Sequence, residues 1–314
     1  MTAILVVAVV GSVAWPLATY TLTLAAFGLA HVLAELRYVD LRFGRRLGRA
    51  LAWAMVVALA GIVLARLGSI AGLLTGPAAI AVELGCGLSL VALVLPSLWR
   101  TRPWAGVIGL VAAIGLALAI LVAPAAGLLT IAVLHNLTPV GFVLEATSGS
   151  ARRRAAWWCL VVFVAIPLVI VMGWGWWIVA SAGIAAPEAS PLGYGPLQEA
   201  MRAYLPVQRL PPVLALHLFS ACVFLQCAHY VTVLGVMPRL LSAGARGRLR
   251  WPGPRAWPLV LGATVLALLP FALDFAEARR GYGVLAAVHA WVELPLLLLA
   301  LLGARGSHGT PRLR

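Results

Sequence analysis

Runs of about 20 apolar residues follow one another along the whole chain, and this feature limits the possible folds most severely. A helix of about 20 apolar residues crosses a bilayer hydrocarbon core about 30 Å thick. Of the 314 residues, 63% are hydrophobic and only 10% are charged, whereas charged residues make up about a quarter of a typical soluble domain. The sequence therefore predicts an all-α integral membrane protein.

Arginine clusters and Gly/Pro breaks divide the chain into about nine spans, within a range of eight to ten, of a polytopic transmembrane helix bundle. Residues 3–14 could extend the first span or form a short interfacial helix, because Pro16 interrupts that run. We expect one bundle domain over residues 1–305 and a short polar tail over 306–314. The predicted spans cover residues 12–36, 48–66, 73–98, 104–122, 124–146, 156–181, 211–237, 257–275 and 282–303.

The distribution of arginines predicts the orientation of the chain. With the N-terminus outside, 18 of the 23 basic residues fall in inside segments, and positive residues accumulate in cytoplasmic loops. The C-terminus is then cytoplasmic, and the net charge of +14 requires no nucleic-acid partner. We expect an integral protein of a bacterial cytoplasmic (inner) membrane, in contact with membrane lipids. The outside arginines are Arg66, Arg202, Arg209, Arg279 and Arg280.

Ionisable side chains inside the apolar runs are the candidates for chemistry, because each is costly to place in a bilayer. Histidines on four different spans predict a shared metal or haem site in the bundle. The four cysteines lie in apolar runs without CxxC spacing, so we predict neither disulfides nor a thiolate zinc site. All candidates fall on odd-numbered spans: His31, Glu35, Glu83, His135, His217, His229, His289 and Glu293.

Two His–Glu pairs have the spacing of one helical turn. Glu35 follows His31 by four residues and Glu293 follows His289 by four, which places each pair on one helix face about 6 Å apart along the axis. Such a carboxylate can bind the same metal as the histidine, or accept the imidazole N–H and orient the ring. We predict the metal ligands to be His31, His135, His229, His289 and Glu293.

Other polar residues receive different predicted roles. His217 lies about 18 Å from His229 along one helix, and we expect it to hydrogen-bond a neighbouring helix. Glu35 is an alternative ligand, a catalytic group or a partner of Arg37. Glu83 could pair with an arginine or orient a ligand histidine.

Four segments resemble the Brp/Blh family of membrane beta-carotene dioxygenases, which cleave the polyene to retinal with iron and O2. The segment GLAHVLAE around His31 is similar to the GLPHGALD-type segment that opens this family. Two departures are Ala30, where the family has proline, and residues 224–228, which supply no second histidine to a late HxxxH pair. The remaining similar pairs are His135 with Asn136, His229 with Tyr230, and His289 with Glu293.

The resemblance implies an iron oxygenase, and the residue types allow the same chemistry. Histidine and carboxylate ligands suit iron(II), copper or zinc; we expect iron(II), with copper, zinc or haem as alternatives. The hypothesis is a non-haem oxygenase for a hydrophobic polyene, isoprenoid or lipid-like substrate, with Tyr230 and Glu35 as catalytic groups and Glu83 and Asn136 supporting the ligands. The first alternative is a haem cytochrome that carries electrons; a zinc lipid hydrolase and a proton-coupled transporter are the others.

Overall fold

The computed structural model describes residues 2–45, 47–122, 124–193, 195–202, 210–241, 245–252 and 257–302. Within these ranges the chain is helical and contains no strand, as predicted. The predicted polar tail lies outside the described residues. The α-helices are α1 (Thr2–Ala14), α2 (Pro16–Val39), α3 (Arg49–Ile70), α4 (Gly76–Thr101), α5 (Pro103–Val122), α6 (Pro124–His135), α7 (Thr138–Ala146), α8 (Gly149–Leu160), α9 (Ile166–Val171), α10 (Trp174–Ser181), α11 (Leu197–Arg202), α12 (Pro212–Val231), α13 (Trp257–Leu266), α14 (Leu268–Leu273) and α15 (Phe275–Leu302).

Six helical stretches in the described part of the chain are long and apolar enough to cross a membrane. Large apolar side chains are exposed along them, as expected of helices that face lipid. The chain is therefore an integral, multi-pass membrane protein, and the count of nine spans and the orientation stay predictions. The six stretches are Pro16–Gly44, Arg49–Ile70, Gly76–Thr101, Gly149–Val171, Pro212–Leu240 and Phe275–Ala300.

Three predicted spans contain breaks. The span over 124–146 is interrupted after His135, and α7 begins at Thr138. The span over 156–181 starts earlier, at Gly149, and is interrupted at Gly173, whose positive φ of 82° only glycine adopts readily. In the span over 257–275, α13 ends at Leu266 and α14 follows from Leu268.

The last long helix begins at Phe275 rather than at residue 282. Asp274 explains the earlier start, because its Oδ1 accepts the backbone N–H of Glu277 at 3.0 Å, the bond of a helix N-cap. Arg279 and Arg280 therefore lie in the first turns of α15 and not in a connecting loop.

The chain divides into two compact units. Unit 1 contains residues Met1–Ala34, Val133–Leu240 and Pro252–Arg279, and unit 2 contains Glu35–Ala132, Leu241–Trp251 and Arg280–Arg314. Helix α2 runs without interruption from unit 1 into unit 2, and α6 and α15 also change unit within the helix.

In unit 1, α12 is the central helix and is buried along most of its length. Phe224 and Ala228 of α12 pack in one hydrophobic core with Ala8 and Val13 of α1. Residues 3–14 thus belong to a separate helix that packs against the core of this unit through one face, and Pro16 opens the next helix, where its missing N–H costs no hydrogen bond.

In unit 2, α3, α4 and α5 pack in sequence order, and short turns connect them. The turn between α3 and α4 contains Gly72 at φ 71°, a left-handed conformation that suits glycine. Val94 and Leu98 of α4 pack with Ala105 of α5 and Leu298 of α15.

Candidate metal centre

Three histidines come together inside unit 1. They lie on α2, at the end of α6 and near the end of α12, and one nitrogen of each lies within 4.8 Å of the others. The imidazole ring centroids of His31 and His229 are 5.3 Å apart, and those of His135 and His229 are 4.6 Å apart. Ligands bound to one metal at about 2.0–2.1 Å lie roughly 3–4 Å apart, so three imidazoles at this spacing suit a single ion.

His31 has a defined orientation on α2. Its Nδ1 lies 3.2 Å from the carbonyl oxygen of Phe27, one turn earlier in the helix. A carbonyl oxygen only accepts hydrogen bonds, so Nδ1 carries the proton and Nε2 keeps the lone pair that a metal requires. The tautomer of this buried histidine is thus set by its own helix.

His135 stands at the break between α6 and α7. Its carbonyl oxygen would normally accept a hydrogen bond from the residue four positions later, but that residue is Pro139, which has no N–H. The hydroxyl of Thr138 donates to this carbonyl instead, at 2.7 Å. We did not predict this role of Thr138 from the sequence, where the available signal was a proline four residues after a histidine.

His229 and Tyr230 lie at the end of α12, just before the π-helical turn Thr232–Val236. Both side chains are buried, and the Tyr230 ring lies 4.3 Å from the His31 ring, centroid to centroid. Single π-helical turns are frequent at functional sites because they change the direction of side chains. Tyr230 therefore limits the space in which the His31 ring can turn.

In unit 2, Glu35 and His289 face each other from α2 and α15. Both are almost completely buried, and Glu35 Oε2 is 4.0 Å from His289 Nε2. This separation exceeds a hydrogen bond but fits two ligands of one metal. Glu293, also fully buried, follows His289 by one turn of α15.

The structure thus contains a buried His/Glu group that could hold a metal ion. In unit 2 the carboxylate that faces His289 is Glu35, and Glu293, which we predicted as a ligand, is buried one turn after His289. Asn136 is buried beside His135. In unit 1 the group consists of His31, His135 and His229, of which His135 is the least buried, and in unit 2 Glu35 and His289 could each offer a further ligand atom.

Glu83 belongs to a different cluster in unit 2. Its two carboxylate oxygens accept hydrogen bonds from the Arg66 guanidinium at 2.7 and 2.9 Å, and the indole N–H of Trp291 donates to one of them at 3.0 Å. The first of the two roles considered for Glu83, pairing with an arginine, is the one observed.

His217 lies apart from the three histidines of its unit. Its ring packs over Gly173, where an added Cβ would come within 2.6 Å of the imidazole, and its centroid is 6.4 Å from that of Trp176. It therefore contacts the α9–α10 break.

Comparisons with known proteins assign no family. No family model, no curated protein and no solved structure matches the chain.

Proposed function

We propose that this chain is an integral-membrane metalloenzyme, a non-haem iron oxygenase that acts on a polyene, isoprenoid or other lipid-like substrate. The observation that carries the proposal is the meeting of three imidazoles inside unit 1. Bringing three imidazoles together in an apolar protein is costly, and a bound cation would compensate for that cost. Iron is preferred over copper and zinc because four short segments resemble the Brp/Blh family, and the same resemblance supports a polyene substrate.

The spacing of the rings disfavours the haem alternative. Two axial imidazoles on opposite faces of a haem have ring centroids about 6 Å apart, because each nitrogen stands about 2 Å from the iron. The centroids of His135 and His229 are 4.6 Å apart, and those of His31 and His229 are 5.3 Å apart. Neither pair leaves the separation that a porphyrin between them requires.

A bound iron ion would supply the binding and activation of O2. The chain itself holds the ligands and keeps water away. The Phe27 carbonyl fixes the His31 tautomer, Thr138 restrains the backbone at His135, and the Tyr230 ring packs against His31. Burial of His31 and His229 within apolar helices gives a dry environment, which suits a hydrophobic substrate and protects reactive intermediates.

Metal analysis of the detergent-purified full chain tests the proposal. We expect about one iron per chain in the wild type, loss of iron in His229→Ala and in His135→Ala, and normal iron in His217→Ala. The last variant is a matched control, because His217 lies on the same helix as His229 but outside the group.

Several results would overturn the proposal. A wild-type protein without stoichiometric metal would remove its basis, and a Soret band would show a haem protein instead. Stoichiometric zinc in place of iron would favour the lipid hydrolase. If iron is present, O2 consumption with beta-carotene dispersed in detergent tests the substrate class separately.

A further inference from the structure

In unit 2, Asp40 accepts hydrogen bonds from a loop that lies far from it in the sequence. This residue opens the π-helical turn Asp40–Gly44 that follows α2. Its Oδ1 accepts the backbone N–H of Arg248 at 2.9 Å, and its Oδ2 accepts the backbone N–H of Leu249 at 3.0 Å and the indole N–H of Trp251 at 2.9 Å. Three donors on one carboxylate fix the loop against the segment that follows α2.

Two glycines make room for this carboxylate. A Cβ added to Gly44 would lie 2.3 Å from Asp40 Oδ1, and a Cβ added to Gly247 would lie 1.9 Å from Asp40 Oδ2. Any larger residue at either position would displace the carboxylate. The contact between the Asp40 carboxylate and the loop therefore requires glycine at both positions, which indicates a specific interaction.

Further hydrogen bonds tie the loop to the segment after α2. The Arg248 guanidinium donates to the carbonyl oxygens of Gly44 and Leu47, and Arg45 Nε donates to the carbonyl oxygen of Gly247 at 3.2 Å. We call residues 245–252 the Asp40-anchored loop. Asp40 accepts hydrogen bonds from the N–H groups of this loop, and Arg45 donates to one of its carbonyl oxygens. The backbone positions of Arg246 and Arg250, on either side of Arg248, are therefore fixed.

The anchored segments carry a strong excess of positive charge. Residues 40–49 and 245–252 together contain seven arginines, and Asp40 is their only acidic residue. The single charge of Asp40 offsets only one of the seven arginines. Five arginines described in these segments are exposed: Arg45, Arg49, Arg246, Arg248 and Arg250.

The position of these arginines suits lipid headgroups. They lie where the candidate span Pro16–Gly44 ends and the candidate span Arg49–Ile70 begins, which is headgroup level for helices that cross a bilayer. Guanidinium groups bind phosphate oxygens in a bidentate manner, and clusters of arginines beside a membrane helix attract anionic lipids. The indole of Trp251 fits the same interfacial level.

We propose that the Asp40-anchored loop, with Arg45 and Arg49, forms a binding site for the phosphate headgroup of an anionic phospholipid. Arginines that only set the orientation of a chain act through their charge and need no fixed backbone. Here a carboxylate, an indole N–H and two glycines fix that backbone. The fixed geometry points to recognition of a ligand.

The test measures the affinity of the detergent-purified full chain for short-chain phosphatidylglycerol, with phosphatidylcholine of equal chain length as the neutral reference. We expect Arg246→Gln with Arg250→Gln to weaken phosphatidylglycerol binding about 30-fold, at about 1 kcal/mol for each arginine. Arg153→Gln with Arg154→Gln is the matched control: it removes the same charge from exposed arginines of unit 1, and we expect less than about a 3-fold change.

The Asp40→Asn variant distinguishes a binding site of fixed geometry, called a built site below, from simple charge attraction. This variant makes the protein more positive, so charge attraction alone predicts tighter binding of an anionic lipid. A built site predicts weaker binding, by about 10-fold, because an amide NH2 would face the donors that the carboxylate accepts. If Asp40→Asn does not fold, Trp251→Phe removes one anchoring N–H and keeps an aromatic ring, and we expect it to weaken binding as well.

Three outcomes would overturn the proposal. One is an equal loss of affinity in the Arg153/Arg154 control. Another is tighter binding in Asp40→Asn. The third is full competition by inorganic phosphate at the lipid concentration, which would identify a free-phosphate site.

Discussion

Two of the buried glutamates of unit 2, Glu83 and Glu35, have opposite surroundings. Glu83 has hydrogen bonds from the Arg66 guanidinium at 2.7 and 2.9 Å and from the Trp291 indole at 3.0 Å. Glu35, equally buried, faces an imidazole nitrogen of His289 at 4.0 Å, which is not hydrogen-bond distance. The chain itself neutralises the first carboxylate with a permanent cation, whereas the second faces the imidazole of His289.

The difference shows that burial alone does not identify a functional carboxylate in a membrane protein. A buried glutamate paired with arginine is a structural element, because the guanidinium is always charged and satisfies both oxygens. A buried glutamate grouped with imidazoles has partners that also bind metals. The two residues should therefore respond differently to the same substitution.

The largest expected effect is the loss of metal in Glu35→Gln. An amide is a weaker metal ligand than a carboxylate, and we expect the affinity for the metal to fall more than about 100-fold, beyond the 10- to 100-fold typical of residues that only orient a ligand. Titration of the metal-free protein with iron(II) measures this affinity. Glu83→Gln is the matched control, and an equal loss of affinity in both variants would contradict the division between the two glutamates.

Next in size is the loss of stability in Arg66→Met. Removing the guanidinium leaves Glu83 buried without its cation, which costs about 3–5 kcal/mol in fully buried pairs. The Arg66 side chain is 32% exposed, so we expect about 2–3 kcal/mol, measured by unfolding in mixed detergent micelles.

The double variant Arg66→Met with Glu83→Met completes this test. It removes both charges, so we expect it to be more stable than Arg66→Met alone. The metal content of the folded fraction should stay normal in both. A double variant less stable than the single one would show that the pair contributes packing and not only charge balance.

The sequence was sufficient to predict the all-helical membrane fold and the histidines of the candidate metal centre, because apolar run length and buried charge are properties of composition and spacing. It favoured Glu293 as a ligand and Glu35 as an alternative, although each follows a histidine by four residues and spacing alone does not distinguish the two pairs. The choice depends on tertiary packing. The sequence also did not predict the contact of Asp40 with residues 248–251, because some 200 residues lie between them.

A smaller effect on stability is expected at Gly87, where α4 packs against the Trp291 indole that donates to Glu83. A Cβ added to Gly87 would lie 2.3–2.6 Å from the Trp291 ring, so Gly87→Ala must displace this ring. We expect a loss of about 1–2 kcal/mol in the free energy of unfolding. Gly85→Ala is the control two residues earlier, where an added Cβ meets open space, and alanine there should be neutral or stabilise the helix by up to about 1 kcal/mol.

The smallest expected effect concerns Thr138, which replaces the hydrogen bond that Pro139 cannot donate to the His135 carbonyl. Thr138→Val keeps the shape of the side chain but removes the hydroxyl, and the lost hydrogen bond costs about 1 kcal/mol. If the α6–α7 break holds His135 in place for a metal, part of this cost lowers the iron(II) affinity, by up to about 5-fold. Thr138→Ser keeps the hydroxyl and should bind iron as the wild type does. If the valine variant is less stable but binds iron(II) as the wild type does, the hydroxyl supports only the helix break. If the valine variant binds iron(II) more weakly and the serine variant binds it normally, the geometry of the break supports metal binding. That role distinguishes the histidine group from the Arg66–Glu83 pair.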